Sequence, residues 1–138
     1  MTDRGTGALD VKLNPEGAPD QAEGITLGRC SIAKQFHGDL LATSQGEMLT
    51  AAAEGNGSAA YVAIERVTGS LGGRSGSFVL MHSGTMTREG QHLTVAVAPG
   101  SGAGEVVGLA GTMAITIVDK QHRYDFEYTQ GEDGGSEP

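Results

Sequence analysis

Residues 69–86 read GSLGGRSGSFVLMHSGTM, with the pair Gly72-Gly73 ahead of the most apolar run in the chain and a single histidine, His82, set inside that run. Glycine accepts the positive φ that a tight hairpin demands, so the pair predicts a two-residue turn between two strands. The turn pairs positions whose numbers add to 145, which sets Val67 against Phe78, Glu65 against Leu80 and Ala63 against His82. Directly opposed side chains share a face of the sheet, so Glu65 and His82 become diagonal neighbours. The other face of the hairpin carries Val62, Ile64, Arg66, Val79 and Met81. Both faces are apolar. One is therefore expected to line a core and the other to pack against a second subunit.

The rest of the chain alternates in the same way. Leu9, Val11 and Leu13 are spaced by two, as are Leu93, Val95 and Val97, then Met113, Ile115 and Ile117, then Tyr124, Phe126 and Tyr128. Cys30, Ile32 and Phe36 follow the pattern too, with Lys34 the exception on the apolar side. Period two is the signature of half-buried strands. The stretch LLATSQGEMLTAAAEG at 40–55 is also expected as strand, because Gly46 interrupts any helical reading. Glu54–Gly57, Glu89-Gly90, Pro99–Gly104 and Asp119–Gln121 supply turns. Eight strands joined mostly by hairpins predict an all-β, eight-stranded antiparallel barrel, since closure removes exposed strand edges. One domain over residues 8–128 is expected, with a flexible N-terminus at 1–7 and a disordered acidic tail at 129–138.

Composition narrows the function. The 138 residues carry a formal net charge of −8, which opposes nucleic acid and anionic membrane surfaces as partners. Glycine is abundant at 23 residues and Trp is absent, so the interior is either aliphatic or encloses a cavity. A lone Cys30 excludes an internal disulfide and reads as a small buried hydrophobe. The four histidines show no metal-ligand spacing, and neither a metal nor a cofactor is expected. No apolar leader or transmembrane-length run is present, which predicts a soluble, cytoplasmic protein. The Gly100–Gly104 run lacks the lysine and helix of a phosphate loop, and Glu105 would repel a phosphate.

Glu65 and His82 are the candidate catalytic pair, because a carboxylate beside an imidazole fixes the ring's tautomer and frees its second nitrogen for proton transfer. The bland alternative is a buried pair that only sets strand register. Tyr61, Ala63, Val67, Phe78 and Leu80 share their face and are the expected ligand-lining residues. Glu47 has two readings. A two-residue Asn56-Gly57 turn pairs it with Arg66 on the outer face, whereas a bulge moves it to the ligand-lining face.

The stretches YVAIERVTGSLGGRSGSFVLMHSGTM at 61–86 and VAPGSGAGEVVGLAGTM at 97–113 resemble a bacterial family of unknown function with an allene oxide cyclase-like barrel. Residues 100–111 are also similar to the glycine-rich segment of plant dirigent proteins. The resemblance implies a barrel, often oligomeric, whose cavity takes a small apolar molecule and steers a reactive intermediate as an isomerase or cyclase does. The competing expectation is a non-enzymatic carrier or assembly module with a filled barrel. On either reading a homo-oligomer, dimer or trimer, is expected through Val62, Ile64, Val79 and Met81.

Overall fold

The computed structural model describes residues 2–131. Among these residues ten strands and no helix are formed: β1 (Asp3–Pro15), β2 (Asp20–Ala22), β3 (Ile25–Gly38), β4 (Leu40–Ala53), β5 (Ala59–Leu71), β6 (Arg74–Thr87), β7 (Gly90–Val97), β8 (Ala103–Gly104), β9 (Ala110–Val118) and β10 (Gln121–Thr129). The eight long strands run in the order β1-β10-β9-β7-β6-β5-β4-β3, and β3 returns to β1 to close an antiparallel barrel. The short β2 and β8 are side additions on β3 and β6.

The Gly72-Gly73 turn forms as expected, with both glycines at positive φ and the pairs Val67↔Phe78, Glu65↔Leu80 and Ala63↔His82 in place. The β4–β5 hairpin differs from expectation. Its loop holds four residues, Glu54–Gly57, closed by the Ala53 N–H donating to the Ser58 carbonyl at 2.8 Å. The longer loop slides the register by two residues, so Arg66 faces Gln45 and Glu47 faces Ile64. A slip of two preserves the face. Glu47 therefore stays on the outer wall.

The barrel begins earlier than the expected boundary at Ala8. Asp3–Gly7 pair with β10, and the Arg4 guanidinium grips Asp125 through two nitrogens, the Nε contact at 2.8 Å. Gly5 and Gly7 take inward positions, and at Gly7 there is no room for a side chain: a Cβ there would lie 1.9 Å from the His37 carbonyl oxygen. Of the expected tail, Thr129 closes β10, and 132–138 fall outside the described residues.

Inward positions change character along every strand. At one end Leu9, Phe36, Leu40, Val67, Leu71 and Phe126 are each 1% exposed or less. Tyr124 fastens this end: its hydroxyl accepts the Leu40 N–H at 2.8 Å and lies 2.9 Å from the His37 carbonyl, to which it donates. The loop after β7 adds Val106 and Leu109 to the same core. Toward the other end β1 passes from Leu9 at 1% exposed to Leu13 at 48%, and β9 from Met113 at 4% to Ile117 at 65%. Leu93 on β7 and Met86 on β6 are also exposed, although both point inward by register. One end of the barrel is thus filled, and at the other, the mouth, the inward aliphatic residues, with Thr26, Thr50 and His122 among them, are more exposed.

On the outer wall Val62, Ile64 and Met81 are exposed, and Val79 is half-buried.

Gly46 is a point of close approach between β4 and β5. A Cβ there would meet the Ile64 carbonyl oxygen at 2.1 Å and the Glu65 Cα at 2.5 Å. Gly46→Ala must therefore push two central strands apart, and it is expected to cost roughly 2–4 kcal/mol. Gly17→Ala is a fair control, because its φ of +71 is strained but nothing lies within 4 Å; it should cost only about 1 kcal/mol. Equal midpoints for the two variants in chemical denaturation would contradict this account.

Candidate functional site

Between the filled half and the open half lies a polar cluster. Its centre is Glu65 of β5, whose side chain is wholly buried. Period two forces this carboxylate inward, one inward position from Val67 and one from Ala63. Glycine at 46, directly across on β4, leaves the space that its side chain occupies.

Three other strands converge on the same carboxylate. The Lys34 ammonium from β3 donates to Oε2 at 2.7 Å, and the Ser44 hydroxyl from β4 donates to Oε1 at 2.5 Å. His82 from β6 makes a short contact with Oε2 through Nε2. Lys34 Nζ and His82 Nε2 lie 3.5 Å apart. All four residues are buried. They form a continuous network in which the Lys34 cation balances the Glu65 anion.

Burial alone would push the Glu65 carboxyl up. The hydrogen bond from His82, the Lys34 charge and its hydrogen bond, and the Ser44 hydroxyl overcome that and hold it at about 2. Glu65 is therefore ionised at neutral pH, and an ionised carboxylate only accepts. The proton in the contact with His82 must accordingly sit on Nε2. That leaves Nδ1 as the second functional nitrogen, for which the described residues offer no hydrogen-bond partner. The His82 side chain is 4% exposed.

Tyr61 stands one inward position above Ala63, toward the mouth. Its ring crosses to β6 and lies on Gly84, where an added Cβ would meet it at 2.4 Å. Burial and then the Glu65 charge push its hydroxyl up, so it stays protonated as a donor. Tyr61 and Ala63 therefore flank the cluster on its open side.

The other expected liners are placed differently. Val67 and Leu80 are wholly buried and Phe78 is 3% exposed, all within the packed core. Phe126 stacks on Phe78 at 6.0 Å, with Val106 and Leu109 in the same cluster, so no cavity remains for those three to line. Glu47 lies on the outer wall, 3.9 Å from Arg29, and the expected pair with Arg66 is not made. Lys34 and Ser44 were missing from the expected site. Lys34 did leave a signal, as the one charge on the apolar side of its strand.

Two open concavities of about 480 and 630 Å³ mark the outer wall. The first is lined by outward side chains such as Lys12, Gln35, Gln45 and Arg66 and also touches Lys34 and Ser44 of the network, whereas neither is lined by Glu65 or His82. Among the described residues no three His, Cys, Asp or Glu side chains are grouped to hold a metal ion. No helix there is long and apolar enough to cross a membrane.

Residues 5–128 match the family model described as "Protein of unknown function (DUF3224)". A crystal structure of a protein of unknown function from the DUF3224 family of Shewanella oneidensis MR-1 superposes with a TM-score of 0.90. The two sequences are 50% identical, over 96% of this chain and 100% of that one. No curated protein matches.

The network carries a pH signature. A carboxyl held at about 2 when folded, against an ordinary value of 4.5, contributes stability that is complete above pH 4.5. That contribution fades as pH falls from 4.5 toward 2, by on the order of 3 kcal/mol in total. Glu65→Gln should be less stable than wild type at pH 7, and the gap between them should narrow steadily across that window. Denaturant melts giving a gap independent of pH would contradict the assignment.

Proposed function

The chain belongs to the DUF3224 family, whose members are of unknown function, and we propose that it binds a small apolar molecule in the open half of the barrel, above the Glu65–Lys34–His82 network. One observation carries this reading: on β1, β7 and β9 the inward residues pass from sealed to exposed while staying apolar. Val11, Leu13, Leu93 and Ile117 are 36–65% exposed at positions whose register faces the barrel axis. Apolar walls around a few convergent polar groups are the usual make-up of a small-molecule site. Binding buries this surface at about 25 cal/mol per Å². The filled half gives the pocket a rigid floor.

In its enzymatic form the reading makes Glu65 and His82 a proton-transfer pair. Glu65 orients the ring through Nε2–H, and Nδ1 takes or returns a proton on a molecule held above it. The apolar wall supplies preorganisation, as in a barrel that steers an isomerisation or cyclisation.

The binding reading is tested with Nile red. Its fluorescence should rise severalfold with wild type and stay low with Leu93→Glu and Ile117→Glu, two rim changes at exposed positions that leave the core intact. A dark dye with wild type, or equal brightening in both variants, would overturn the reading.

A second reading concerns the outer wall, where the pairs Leu49↔Val62 and Ile64↔Met81 make contiguous apolar rows across β4, β5 and β6. Leu49, Val62, Ile64 and Met81 are all exposed in the single chain. Glu47 and Arg66, of opposite sign, flank Ile64, so a copy related by symmetry meets complementary charge. We propose that this face joins copies of the chain as a dimer or trimer. Light scattering at tens of micromolar should give a multiple of 14.1 kDa, reduced to the monomer by Ile64→Glu with Met81→Glu. A wild-type monomer would refute it.

A further inference from the structure

The outer wall carries a feature that neither the interior nor the apolar rows explain. We infer that the hollow between Lys12 and Arg66 is a second site, for a small molecule with an acid group at each end. It faces away from the barrel interior and stands or falls independently of the binding reading above.

The strand register makes the hollow. One row of outward side chains runs Lys12–Ala33–Gln45–Arg66 across β1, β3, β4 and β5, and Gln35 and Thr43 stand in the adjoining row. Ala33 is the small side chain in its row, so the wall dips there between a lysine at one rim and an arginine at the other. The resulting open concavity has a volume of about 480 Å³. Lys12, Gln35, Gln45 and Arg66 are all exposed. Among the described residues no carboxylate forms an ion pair with Lys12 or Arg66. Gln21 and Gln121 hydrogen-bond there through their side chains, whereas Gln35 and Gln45 do not. The single carboxylate lining the hollow, Asp10, is taken up by His37 at 3.0 Å. Lys34 borders it too, but its charge is balanced by Glu65 at 2.7 Å. The hollow thus holds a local excess of positive charge in a chain whose formal net charge is −8.

Charge and spacing select the ligand. Three strand spacings, about 14 Å, separate the backbones at the two rims, and both side chains are long enough to lean over the dip. A single-centred anion would have to draw both cations onto one point, against their mutual repulsion. A diacid meets one at each end. The Arg66 fork suits a carboxylate through two parallel hydrogen bonds, and Lys12 acts as a point charge. Between them the Gln35 and Gln45 amides offer donors and acceptors to hydroxyl or carbonyl groups along the ligand. A long polyanion is disfavoured, because the negative charge of the rest of the chain repels whatever extends beyond the hollow. Arg66 also borders the apolar rows on which copies are proposed to join, and its five N–H donors suffice for both contacts. Lys12 lies three strands from it and reports on the hollow alone.

The test titrates the full chain with succinate, glutarate, adipate, butyrate and phosphate at pH 7 in low salt, followed by ¹H–¹⁵N spectra. The best of the three diacids should bind about fivefold or more tighter than butyrate or phosphate, the gain expected from one further exposed ion pair. Its shifts should centre on Ala33, Gln35, Thr43 and Gln45, and added salt should weaken it. Lys12→Gln and Arg66→Gln should each bring the diacid down to the level of butyrate. Ala33→Leu fills the dip and should block the diacid with both cations in place. All three changes are on outward side chains, and unchanged spectra for the rest of the barrel will show that the variants fold. Butyrate or phosphate matching the best diacid would overturn the inference. So would shifts centred elsewhere, a preference that survives Lys12→Gln, or no binding by any diacid. None of these outcomes touches the Nile red experiment, which reads the barrel interior.

Discussion

A single carboxylate, Glu65, holds the middle of the barrel together. It ties β5 to β3 through Lys34, to β4 through Ser44 and to β6 through His82, three strands besides its own. A charge moved from water into such an interior costs several kcal/mol unless it is fully partnered. Here every oxygen is partnered, and the arrangement holds only in one register. A slip of one residue in β5 would turn Glu65 out and Ile64 in, and would strand Lys34 and His82 together as a buried cation and imidazole. The network therefore specifies which register is native more sharply than the aliphatic residues alone, since Val, Ile and Leu tolerate repacking.

The shape of the interior follows from the distribution of bulk. Only a few aromatic rings are available, and most are spent at one end: Phe36 meets Tyr124 edge-on at 5.8 Å, and Phe126 packs on both Phe78 and Tyr128. Toward the other end the inward positions include Gly46, Ala63 and Gly84, the last covered by the one ring there, Tyr61. An eight-stranded barrel has an interior just wide enough for side chains to fill. Replacing rings by glycine and alanine on one level therefore leaves unfilled width there. The polar network sits at the boundary between the two levels, with the packed core beneath it.

Much of this was legible in the sequence, for a local reason. Alternation gave the strands, and the Gly72-Gly73 pair fixed the β5–β6 register, so the shared face of Glu65 and His82 follows without further information. The β4–β5 register was less legible because the stretch EGNG offers both a two-residue and a four-residue loop. The backbone takes the longer one, in which Gly55 and Gly57 both adopt positive φ. Lys34 and Ser44 were harder still. They reach Glu65 through pairings of β3 with β4 and β4 with β5, which no single turn dictates. Only the misplaced charge at 34 in an otherwise apolar column marked the site. The sealing of Val67, Phe78 and Leu80 depends on Val106 and Leu109, brought in by the loop after β7, and period-two reading cannot foresee that packing.

A buried network of this kind has a purely structural explanation and a functional one, and the energetics separate them. If register were its only role, every donor and acceptor would be best closed within the protein, because each open polar atom wastes part of the desolvation already incurred. Glu65 and Ser44 meet that standard, with both carboxylate oxygens and the hydroxyl engaged inside the cluster. His82 does not. Its Nε2 is held by the carboxylate, while Nδ1 makes no hydrogen bond among the described residues. A phenylalanine or leucine at 82 would fill the column on β6 without that second nitrogen. The imidazole is therefore the element whose chemistry exceeds what the fold requires.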